Sequence, residues 1–147
     1  MLLLLGFVVG CGGDGRLPTS PVAGSITFDG KPLANAEIWL VPKSEEVKNA
    51  RVTIRPYAKT QPDGTFTVTS YLVDDGAPLG EYALMVVPAG SRTNTEEERA
   101  TDMPTEKKAR DRRPPSFPAK FRDPTTSGLF FTVKGGQNQL LLELKSR

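Results

Sequence analysis

The chain has 147 residues, 37% of them hydrophobic and 24% charged, and its 19 basic and 17 acidic side chains leave a net charge of +2. That length suits one domain, and so balanced a charge supplies no global field to recruit nucleic acid, so no nucleic-acid partner is expected. Histidine is absent and cysteine occurs once, which removes histidine-dependent catalysis, histidine and multi-cysteine metal sites and any intrachain disulfide; no cofactor and no metal are expected.

Residues 1–11 read MLLLLGFVVGC. The apolar run from Leu2 to Val9 is far shorter than the ~20 residues that span a bilayer and matches the core of a secretory signal. Val8-Val9-Gly10-Cys11 resembles the lipobox of bacterial lipoproteins, small and aliphatic residues before a cysteine. The resemblance implies that residues 1–10 are a signal peptide and that Cys11 takes a diacylglycerol thioether. A thiol is required there because the lipid is joined through sulfur. No Lys or Arg precedes the apolar run, so the basic part of such a signal is expected upstream of Met1. Residues 11–20, rich in Gly, Pro, Ser and Thr, are expected to form a flexible tether.

Thirteen prolines and 14 glycines punctuate the remainder into short strands joined by turns. Val22, Gly24, Ile26 and Phe28 recur at period two, the mark of a half-buried strand. Asp29-Gly30 is a hairpin signal. In the next strand, up to Pro42, Ala36, Ile38 and Leu40 should face one way and Glu37, Trp39 and Val41 the other. Residues 43–50 form a polar loop. Residues 51–60 make a weaker strand that Pro56 confines to an edge. After the Pro62-Asp63-Gly64 turn, residues 65–71 alternate, with Phe66 and Val68 inward. Residues 72–80 are a loop. Tyr82, Leu84 and Val86 share one face of the strand over 81–88. Residues 128–133 and 139–144 form a last antiparallel pair. Within the insert 90–116, acidic Glu96–Glu98 precede basic Lys107, Lys108, Arg110, Arg112 and Arg113. Prolines interrupt it and little in it is apolar, so it is expected to be a mobile loop.

Val22 to Ala36, together with Thr60-Gln61-Pro62-Asp63-Gly64-Thr65-Phe66, resembles the opening motifs of carboxypeptidase regulatory-like, transthyretin-like domains. Gly80-Glu81-Tyr82 and residues 118–129 look like a bacterial lipoprotein subgroup of that fold. The resemblance implies an all-β, antiparallel Greek-key sandwich of about seven strands over residues 21–145, and it supplies no catalytic residues. The hydroxyisourate hydrolase of the same fold depends on histidines, which this chain lacks.

Four features are weighed as sites. Trp39 with Tyr57 or Tyr71 offers flat rings for sugar stacking, against a plain packing role. Asp74-Asp75 offers too few oxygens for calcium, which takes six or more, and fits a solvated turn better. Glu37, Glu81 and Glu143 would serve a carboxylate-dependent hydrolase only if two of them converged to about 5–9.5 Å. The basic run at 107–113 could meet anionic lipid but fits a solvated loop better. The resulting expectation is a non-enzymatic lipoprotein of the cell membrane or outer membrane, facing the periplasm or exterior. It would be a structural or protein-interaction module, with a binder of envelope polysaccharide as the alternative.

Overall fold

Side-chain alternation decides which face of each strand leaves water, and in this chain it builds two sheets around one core. The computed structural model describes residues 15–52, 54–90 and 117–146. Among them the strands are β1 (Thr19–Ser20), β2 (Val22–Phe28), β3 (Lys31–Pro32), β4 (Glu37–Pro42), β5 (Tyr57–Lys59), β6 (Thr65–Thr67), β7 (Ala77–Pro78), β8 (Gly80–Val87), β9 (Phe130–Val133) and β10 (Asn138–Leu144). One helical turn, α1, spans Glu45–Lys48, and a 3-10 turn covers Ala119–Arg122. The protein is all-β in character, with ten strands where about seven are expected; β1, β3 and β7 are two-residue pieces.

The first sheet has β2 at its centre, with β10 along one side and β3 and β6 along the other. The second runs β5-β4-β8-β9 and is antiparallel throughout. β1 and β7 form a separate antiparallel pair. Val22, Ile26, Phe66, Leu140 and Leu142 from the first sheet and Ile38, Leu40, Tyr82, Leu84 and Val86 from the second meet in a single buried cluster. These are the inward residues that period-two spacing selects.

The polar loop expected at 43–50 contains α1. Val47, its one large apolar residue, is buried in the core, and Lys48 Nζ meets Glu45 Oε1 at 2.9 Å one turn away. The chain expected as tether through residue 20 already pairs at β1, with Thr19 opposite Pro78 and Ser20 opposite Ala77. The loop expected over 72–80 therefore supplies a strand as well.

The strand expected over 65–71 divides. Thr65 to Thr67 pair with β2 in the first sheet, whereas Thr69 exchanges two backbone hydrogen bonds with Tyr57 of the second. The chain thus turns a corner between sheets. β5 is an edge strand, as Pro56 requires: Pro56 has no N–H to give, but its carbonyl accepts Leu40 N–H at 2.9 Å.

The largest correction concerns the last two strands. They do not pair with each other: β9 joins β8, and β10 crosses to the first sheet and runs parallel to β2, from Asn138 opposite Val22 to Leu144 opposite Phe28. Alternation fixes which side chains go inward but not which neighbour a strand takes. Asn138 clamps the crossover. Its Oδ1 accepts Lys134 N–H at 2.9 Å, and its Nδ2 donates to the Lys134 and Gly136 carbonyls at 2.8 and 3.0 Å.

Two motif positions have direct physical causes. Asp29 and Gly30 both take positive φ, 49° and 78°, the pair of left-handed residues of a two-residue hairpin, which closes between Phe28 and Lys31. Gly24 is needed for space: a Cβ there would lie 1.9 Å from the Leu140 carbonyl oxygen and 2.8 Å from the Phe66 ring. Thr60, almost wholly buried, accepts Ala36 N–H at 2.8 Å and donates to the Leu33 carbonyl at 2.6 Å. It thereby ties the turn that leads from the first sheet to the second.

Candidate functional site

The outward face of the second sheet is the most distinctive surface of the molecule. β4 sends Ile38 and Leu40 inward, so Glu37, Trp39 and Val41 must point outward. β5 buries Ala58 and leaves Tyr57 and Lys59 outside. The register sets Trp39 directly opposite Tyr57, and their rings stack with centroids 5.3 Å apart at 28°. Cross-strand aromatic pairs of this kind add to the stability of a strand pair beyond area burial. Trp39 Nε1 donates to Glu37 Oε2 at 3.3 Å, which turns the indole edge along its own strand.

The apolar surface continues across the sheet. Met85 lies opposite Trp39 on the other flank; Val41 lies opposite Ala83, and Ala83 opposite Phe130. Tyr57 is 42% exposed and Phe130 61%. Lys43 Nζ lies 4.5 Å from the centre of the Phe130 ring, a cation–π contact at the rim. Beside Trp39 a groove of about 610 Å3 is lined by Val41, Val47, Ile54, Arg55 and Met85. Lys48 also borders it, but its charge is matched by Glu45, whose carboxyl the ammonium holds below the ordinary value. The groove can take an apolar or flat partner face, with Arg55 offering a cation at its margin.

The outward face of the first sheet is different in kind. Ala23, Ser25, Thr65, Thr67, Gln137 and Gln139 line a shallow groove of about 710 Å3, uncharged and rich in hydroxyl and amide groups.

Of the residues singled out from sequence, Trp39 and Tyr57 are brought together. Tyr71 lies elsewhere: its hydroxyl accepts Leu17 N–H at 3.1 Å, and the Arg16 guanidinium sits 5.5 Å from its ring centre. The three strand acids are kept apart. Glu37 is level with Val87 on β8, six residues from Glu81 on that strand, or about 20 Å at the usual strand rise. Glu143 is on the other sheet, opposite Thr27. No two of them reach the separation a glycosidase-like pair requires.

Asp74 and Asp75 belong to a tied loop. Asp75 accepts the backbone N–H groups of Ser70, Tyr71 and Leu72 at 2.7, 3.0 and 3.0 Å, and Asp74 accepts the Thr67 hydroxyl. Their oxygens are engaged in holding the loop. Among the described residues, no group of three or more His, Cys, Asp or Glu is placed to hold a metal ion, and no helix is long and apolar enough to cross a membrane. Cys11 and residues 91–116 of the insert, the basic run at 107–113 among them, lie outside the described residues.

Met85 and Phe130 were not singled out from sequence. Alternation on β8 carries a signal for Met85, since Tyr82, Leu84 and Val86 take the inner face. Phe130 has no such signal, because its place beside Ala83 depends on a long-range register. Comparison with known protein families, with curated proteins and with solved structures finds no match to this chain.

Proposed function

We propose that this protein is a non-enzymatic lipoprotein of the cell envelope, acylated at Cys11 and facing the periplasm or exterior from the cell membrane or outer membrane. Its domain, which we assign to the transthyretin-like, carboxypeptidase regulatory-like Greek-key sandwiches, acts as a structural or protein-interaction module. The observation that carries the binding role is the aromatic and aliphatic outer face of the β5-β4-β8-β9 sheet. Trp39, Tyr57, Met85, Val41 and Phe130 lie there side by side, with cations from Lys43 and Arg55 at the margin. Aromatic, methionine and arginine side chains are the types enriched in protein interfaces. The Val8-to-Cys11 motif supports the anchor.

The test is affinity purification of the intact protein from envelope fractions after cross-linking, with Trp39→Ala beside wild type. A partner recovered with wild type and lost with Trp39→Ala supports the reading; equal recovery from both removes this face as the binding surface. Metabolic labelling with a clickable fatty acid tests the anchor, and label that is equal in wild type and Cys11→Ala refutes it.

The stacked Trp39–Tyr57 pair favours a second reading, a binder of envelope polysaccharide, because a sugar ring can lie on exposed aromatic surface. A glycan array separates the two: binding that Trp39→Ala and Tyr57→Ala abolish supports it, and an array without signal removes it.

A further inference from the structure

The loop between β6 and β7 holds two aliphatic side chains out in water. Leu72 is 64% exposed and Val73 84%, the largest exposure of any large hydrophobic side chain among the described residues. The loop is built to keep them there. The Asp75 carboxylate accepts three successive N–H groups up to Leu72. Asp74 N–H donates to the Thr69 hydroxyl at 3.1 Å, and the Ser70 hydroxyl donates to the Gly76 carbonyl at 2.6 Å. Neither side chain is folded back onto the core.

This tip stands where the chain enters the domain. Leu17 N–H donates to the Tyr71 hydroxyl, and Arg16 lies over the Tyr71 ring. Arg51 is alongside Gly15, whose added Cβ would lie 3.3 Å from the arginine Cβ. Three residues lie between Gly15 and Cys11, four chain steps with a reach of at most about 14 Å. The hairpin at Asp29-Gly30 is at the far end of the seven-residue β2, about 23 Å away along the strand.

We propose that Leu72 and Val73 enter the boundary between lipid headgroups and acyl chains of the bilayer that holds the protein, with Tyr71, Arg16 and Arg51 at headgroup level. Aliphatic side chains below, an aromatic ring at the interface and guanidinium groups near phosphate form the arrangement that favours shallow insertion. The Asp74 and Asp75 carboxylates accept hydrogen bonds from their own loop. This proposal depends on acylation of Cys11 as read above. It makes the anchor and loop a two-point attachment that sets which way the domain faces, leaving the Trp39 face free for a partner.

The test uses the full chain expressed in a lipoprotein-processing bacterium, with acylation verified by a clickable fatty acid. Acylation consumes the only native thiol, so Val73→Cys and, separately, Lys31→Cys can each be labelled with a fluorophore. Each labelled protein is reconstituted into vesicles of phosphatidylethanolamine and phosphatidylglycerol carrying shallow nitroxide lipids. Insertion quenches the probe at position 73 about twofold and leaves the probe at position 31 unchanged. The doubly substituted Leu72→Asp, Val73→Asp protein should transfer between vesicles about tenfold faster than wild type. Acylated protein with no quenching at position 73 overturns the loop proposal and leaves the anchor standing. Absence of acyl label overturns both.

Discussion

Phe66 and Trp39 make an instructive pair. Each lies on a strand of one sheet, flanked by residues that alternate, yet Phe66 is buried under the first sheet and Trp39 stands on the outside of the second. As a result the first sheet shows water mainly Ser, Thr and Gln, with Leu141 and Glu143 toward the end of β10, and the second shows it a cluster of Trp, Tyr, Met and Phe. The two faces differ in chemistry: among the described residues, aromatic rings gather on the second and none stands exposed on the first. The second keeps apolar area exposed, which in a monomeric domain marks a place of contact.

The difference can be broken by substitution. Phe66→Ala should lower unfolding free energy by about 3–5 kcal/mol, read by urea titration, because it opens a cavity in the core. Trp39→Ala should cost only about 1 kcal/mol of stability, from the lost ring stack and part of its burial, but should reduce partner recovery about tenfold or more. On the polar face, Gln139→Ala should change neither. If Trp39→Ala destabilises as strongly as Phe66→Ala, the outer aromatic pair is packing and the contrast between faces fails.

A smaller effect tests the join between the sheets. Thr60→Val keeps the shape but strands Ala36 N–H and the Leu33 carbonyl, and should cost about 1–3 kcal/mol by thermal or urea denaturation. Thr60→Ser should retain most of the wild-type value.

Tyr82 gives a pH test of the inner face. Burial pushes its hydroxyl well above the ordinary value of 10.0, and the neutral group donates to the Pro78 carbonyl at 2.8 Å. The folded protein keeps this proton where the unfolded chain releases it, so the stabilisation is complete below about pH 10 and declines as pH rises beyond it. Tyr82→Phe should flatten that alkaline decline while costing about 1 kcal/mol at neutral pH, where the carbonyl loses its donor.

The smallest expected effect is at the turns. Thr65 hydrogen bonds hold the Asp63 carboxyl below its ordinary value, and Thr125 does the same for Asp123. The stabilisation from each is present above the ordinary carboxylate range and fades as pH falls through the folded value. Asp63→Asn should therefore make the acid limb of a stability profile slightly shallower.

Much of this architecture was legible in the chain itself. Period-two spacing marked Ile38, Leu40, Phe66, Val68, Leu84 and Val86 for the interior, and Pro56 placed its strand at an edge, because these are consequences of local backbone geometry. Alternation set Trp39 outward with Glu37 and Val41 for the same reason, while the weak pattern over 51–60 gave Tyr57 no face. The crossing of β10 to a parallel place beside β2 was not legible, since a four-residue connection after β9 equally suits a hairpin. The division of 65–71 between two sheets was hidden for a similar reason: Thr69 alternates in step with Thr67 whichever sheet receives it.

What the sequence determined by itself, then, is local: which residues face inward, where turns fall, and the single thiol at the end of an apolar run. Tertiary structure alone decided which strands are neighbours, and so which outward residues share a surface. Trp39 meets Tyr57 and Met85, Val41 approaches Phe130 through Ala83, and Leu72 and Val73 stand beside the point where the chain enters the domain. Strand pairing is a long-range choice made by the packing of the whole core, and periodicity within one strand carries no record of it.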